Sequence, residues 1–166
     1  MGQYSDNRCP LPSRWLPEAA ARGLLQYLGM ILIRGVAVWL IIMLAETLHG
    51  VARVLVLQPY VGDFRARQIG VFTGSLMIVA IAVACIRWIR AAGLGELFAV
   101  GLLWLLLTLC FEVLLGRFVL GLSWERIASD YNLLEGGLLP IGLFVLTISP
   151  FLAAKIRGGR TADLAR

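Results

Sequence analysis

Four long apolar runs, nearly empty of charge, decide what this chain can fold into. They fall at 24–57, 69–89, 97–115 and 133–154. The second holds no charged residue from Ile69 to Ile86, the third holds only Glu112, and the fourth only Glu135. The hydrocarbon core of a bilayer takes about 20 apolar residues per helix, so each run is long enough to cross it. Composition points the same way. The 166 residues are 60% hydrophobic and 15% charged, against about 45–50% and about 25% in a soluble domain. A soluble enzyme fold is excluded on this balance, and the connections are too short for a sizeable extramembrane domain. The fold expected is an all-α integral membrane protein. It has four transmembrane helices in a compact bundle, with short loops and an N-terminal interfacial segment.

The first run is too long for one perpendicular crossing, since its 34 residues at about 1.5 Å each reach about 51 Å. It divides into a lead-in segment at 18–29, lying near the interface, and a tilted span at about 30–53. The other spans are expected at about 69–89, 97–116 and 133–154 within a transmembrane domain covering 18–156. Residues 1–17, with Pro10, Pro12 and Pro17, read as an irregular tail without the apolar core of a secretory signal; 157–166 form a basic tail. Pro59 and Gly62-Asp63 mark the first turn. In the last connection, Ser123-Trp124-Glu125-Arg126 suits a short amphipathic surface helix.

Four crossings bring both termini to one side, and basic residues choose the side. Nine Lys and Arg lie on the side of the termini and the 87–96 connection, against five on the other. The positive-inside rule then puts both termini in the cytoplasm of a bacterial-type inner membrane. Tyr60, Trp124 and Tyr131 fall at the outer interface, and Trp15, Tyr27 and Trp88 at the inner one. Trp39 and Trp104 lie deeper, as packing residues. The expected partners are the lipid bilayer and either a second copy or another membrane protein. The net charge of +5 belongs to basic flanks, and no basic-aromatic module for nucleic acid is present. Cys9, Cys85 and Cys110 form no C-x-x-C, which removes a thiol oxidase of the paired-cysteine kind.

The polar residues inside the runs gather at one depth. Glu46, His49 and Arg53 are spaced i, i+3 and i+7, one stripe of a helix, in the outer part of the first span. Glu112 and Arg117 stand at the outer end of the third span, and Glu135 at the outer start of the fourth. An ionised side chain at the bilayer centre costs about 2.5–3.5 kcal/mol on insertion scales, so such a stripe belongs in the interior of the helices. These six residues form the expected ligand- or proton-binding site. Pro140, beside Gly136-Gly137, reads as a break in the fourth span next to Glu135.

Three functions fit this pattern. The first is binding or passage of a small solute, ion or proton at an outward-facing intramembrane polar pocket. The second is an accessory or assembly subunit whose charges pair only structurally. The third is a membrane-embedded metal or redox enzyme, because Glu46-x-x-His49 has the spacing of di-iron carboxylate helices; one histidine in the whole chain argues against it. No cofactor fingerprint and no catalytic triad is present. Gly70-Val-Phe-Thr-Gly74 fits either a dimer seam or a helix contact within the chain.

Overall fold

In the computed structural model the described residues are 15–163, apart from 92, 130 and 134–136, with side chains described from 21 to 158. All regular structure among them is helical: α1 (Trp15–Ala52), α2 (Gln58–Val61), α3 (Asp63–Ile89), α4 (Leu94–Leu114), α5 (Trp124–Ser129) and α6 (Leu139–Asp163). Single π-helical turns at Arg53–Leu57 and Leu115–Val119 extend α1 and α4. Four segments are long and apolar enough to cross a membrane: Ala21–Val61, Asp63–Ile89, Leu94–Val119 and Leu139–Gly158. Only 22–28% of the residues in their most apolar windows are buried. The protein thus turns most of its apolar surface outward, with Leu25, Ile33, Phe72 and Phe144 well exposed.

The sequence expectation divides the first run into two pieces, but α1 passes through position 29 without interruption. A lone glycine there costs a helix only about 1 kcal/mol, too little to break one flanked by Leu, Met and Ile. Pro59 does not make the first turn either. The π turn precedes it, and Pro59 sits at the start of α2, where its missing N–H is tolerated. The chain reverses at Gly62, whose φ of 79° and ψ of 163° suit a residue without Cβ. The short helix expected after Ser123 is present as α5. Pro140 breaks nothing: it lies in the first turn of α6, which begins at Leu139.

The proline inside that helix is Pro150, which the sequence reading passed over. It has no N–H for the carbonyl of Leu146. The buried Ser149 hydroxyl donates to that same carbonyl at 2.8 Å, so the helix loses no partner.

Each long helix packs on two others, α1 on α3 and α4, and α6 on the same pair. The core between them holds Ile31, Val38, Ile42, Ile86, Val100, Trp104 and Leu146. Its two tryptophans are tied by their indole N–H groups. Trp104 donates to the carbonyl of Gly35 at 2.8 Å, and Trp39 to the hydroxyl of Thr108 at 2.9 Å. Both bonds join α1 to α4. Gly101 brings α4 against α6, where a Cβ would collide with the backbone carbonyl of Thr147. This dry middle separates two ends, named here for Gly62 and for Arg90, the residue that closes α3.

Candidate functional site

Beyond Ile42 and Ile78, toward the Gly62 end, the helices part around a cavity of about 470 Å³. This is within the range of small-molecule sites, about 300–1,000 Å³. Of the six expected residues, Glu46, His49, Arg53 and Glu112 line it. The first three come from one face of α1 and its π turn, as the helical spacing requires. Glu112 comes from α4. Arg117 is placed elsewhere: it donates from Nη1 to the carbonyl of Leu122 at 3.2 Å and lies over the Trp124 ring. Arg117 follows Glu112 by five residues, about 140° around a helix in α-helical register, so the spacing does not put both side chains on one face. Glu135 lies outside the described residues.

Glu46 and His49 are neighbours, with 3.8 Å between Glu46 Oε2 and His49 Nδ1. On its other side His49 Nε2 lies 2.7 Å from the hydroxyl of Thr73 on α3. The same hydroxyl lies 2.9 Å from the Ile69 carbonyl and 3.3 Å from that of Gly70. The imidazole is thus held between Thr73 on one side and Glu46 on the other. A proton placed between Nδ1 and Oε2 can rest on either group, and one water or a small rotation closes the gap.

Helix α3 is shaped to receive these side chains. A Cβ on Gly74 would stand 2.8 Å from Glu46 Oε2, and one on Gly70 2.6 Å from Arg53 Cδ. The G-x-x-x-G spacing is thus a contact within the chain, and it seats two charged side chains. Neither is fully satisfied by protein. Glu46 Oε1 and Arg53 Nη1 are buried without a hydrogen-bond partner. Leaving such a group unpaired costs about 1–3 kcal/mol, more when it is charged. An arrangement whose purpose was to neutralise Glu46 with Arg53 would close that pair. Among the described residues, the charged neighbour within 4 Å of Glu46 is His49.

Five polar residues outside the expected six also line the cavity: Gln58, Asp63, Arg67, Ser75 and Arg126. Arg67 reads in the sequence as a solvated loop residue. It stands one helical turn after Asp63 and donates to its carboxylate from Nε, at 2.8 Å, and from Nη2. The signal was the D-x-x-x-R spacing, legible once α3 is taken to begin at Gly62 rather than at Ile69. Among the described residues, three acids and three arginines line the cavity, so this lining is mixed in sign.

Among the described residues, no three His, Cys, Asp or Glu side chains are grouped to hold a metal ion. Comparison of the chain with protein-family models, curated proteins and solved structures finds no match.

Proposed function

We propose that this is a four-span membrane protein whose cavity at the Gly62 end binds a proton, and with it a small polar solute or ion, for passage through the helices. The observation that carries the reading is the state of Glu46. One oxygen lies 3.8 Å from His49 Nδ1, the other is buried in the cavity without a partner, and glycine at position 74 makes the room. A carboxyl group held this way exchanges protons with a neighbouring base and has capacity left for a cargo. The outward apolar surface supports the membrane placement. The bias of Lys and Arg toward the termini supports a cytoplasmic location for both, so the cavity opens to the non-cytoplasmic side of an inner membrane.

The role of each residue follows from its contacts. Glu46 holds the proton, and His49 relays it with its ring fixed by Thr73. Arg53 and Glu112 set the charge balance around the cargo, while Asp63 and Arg67 brace the rim by pairing with each other. Reconstitution in sealed vesicles tests this. Under an imposed pH gradient the wild-type protein dissipates the gradient, Glu46→Gln does not, and Arg117→Gln, outside the cavity, behaves as wild type. Equal rates for wild type and Glu46→Gln would contradict the proposal. Stoichiometric co-purification with another membrane protein, with no flux in either variant, would favour the accessory-subunit reading.

A further inference from the structure

A second cavity, of about 380 Å³, lies at the Arg90 end. Its polar lining is three arginines from three places in the chain: Arg87 in the last turn of α3, Arg90 at the helix end, and Arg157 on α6. Ile86 and Ala154 form apolar wall between them, and no acidic residue among the described ones lines the cavity. Like charges brought together at a rim repel unless something of the opposite sign joins them.

One of these side chains is held in place, and another stands on an unusual backbone. Arg157 donates from Nε to the carbonyl of Val83 at 2.9 Å, which fixes the guanidinium plane on α3 and leaves both Nη groups without an acceptor among the described residues. Arg90 has a left-handed backbone, φ 65° and ψ 21°. Helices that end this way usually place glycine or asparagine there, because a Cβ crowds the following carbonyl. Here the strained position carries an arginine whose side chain faces the cavity, and neither its guanidinium nor that of Arg87 has a protein partner among the described residues. Backbone strain kept at a cationic side chain marks a position where the side chain is used.

We infer that this cavity binds a phosphate group, gripped by the guanidinium groups of Arg87, Arg90 and Arg157. Planar guanidinium forks match phosphate oxygens in pairs, and three of them suit a group with several anionic oxygens. In the membrane placement proposed above, the site opens at the cytoplasmic interface, where the headgroups of anionic phospholipids carry this chemistry. Trp88 and Tyr27 stand at the same end, Trp88 beneath the guanidinium of Arg34 and Tyr27 donating to the Arg90 carbonyl at 3.4 Å. A soluble phosphate compound offers the same oxygens to the same arginines.

The test uses the purified full-length protein in neutral detergent, with binding followed by native mass spectrometry. The probes are phosphatidylglycerol, phosphatidylcholine and inorganic phosphate. The expected result is that phosphatidylglycerol binds at least about tenfold more tightly than phosphatidylcholine, and that Arg90→Gly or Arg87→Gln weakens it about tenfold or more. Arg90→Gly also relieves the left-handed backbone, so its unliganded melting temperature stays level or rises, and lost binding cannot be put down to misfolding. Inorganic phosphate that binds, displaces the lipid and depends on the same arginines supports the site with a soluble ligand as its source. The inference is overturned if the two lipids bind alike and inorganic phosphate does not bind, or if both variants bind as wild type does.

Discussion

At the Gly62 end, acids and arginines face one another across a cavity between α1 and α3; at the Arg90 end, three arginines line a cavity with no acid among the described residues. The first holds its charges well inside the helices, in space opened by Gly70 and Gly74. The second holds them at helix ends, where an arginine stem covers apolar surface while its head reaches water. Mixed charge with an incompletely paired carboxyl suits a site that gives and takes protons. Charge of one sign suits a site that retains an anion. The apolar core that holds Trp39 and Trp104 lies between the two.

The largest disturbance should come from what both ends share. Gly101→Leu drives a side chain into the Thr147 carbonyl, where backbone rather than a movable side chain must give. It is expected to cost about 3 kcal/mol or more and to abolish function at both ends, as read by thermal unfolding in detergent. Ser149→Ala comes next. It leaves the Leu146 carbonyl, deprived by Pro150, without its hydroxyl partner in a buried site, at a cost of about 1–3 kcal/mol in the same measurement.

Smaller changes separate the two ends. Gly74→Ala meets only the flexible tip of Glu46, so stability should hold within about 1 kcal/mol. Moving the carboxylate off His49 forfeits about one charged hydrogen bond, hence about tenfold in proton flux. Lipid binding at the Arg90 end should be unchanged. Thr73→Val removes the hydroxyl that holds His49 and is expected to cost about 0.5–1 kcal/mol. It should also alter the tautomer balance of the His49 ring, visible in its nitrogen chemical shifts; an unaltered ring would break the proposed relay.

The two ends also differed in how far the sequence revealed them. The long apolar runs made four long helices legible, and the Glu46, His49 and Arg53 stripe is visible from spacing alone. Arg117 was grouped with Glu112 by depth alone, although a separation of five residues does not share one face of an α-helix. Asp63 and Arg67 were hidden because the second span was expected to begin at 69, whereas α3 begins at Asp63, directly after the turn at Gly62. Arg87 counted only among the basic residues that set orientation. Its convergence with Arg90 and Arg157 depends on α3 packing on α6, a contact between distant parts of the chain that no local pattern records. The G-x-x-x-G motif could be read as a contact, but not as a seat for charged side chains.

The central claim is that Glu46 meets water in a cavity open to the non-cytoplasmic side. Cysteine accessibility tests it directly, using Glu46→Cys in a chain where Cys9, Cys85 and Cys110 are replaced by serine or alanine. The control is Arg65→Cys, since Arg65 is an exposed residue at the same end. A membrane-impermeant thiol reagent applied to sealed vesicles should label position 46 from the side that labels position 65, and not from the side of the termini. Labelling of position 65 alone, or of position 46 from the side of the termini, would contradict it.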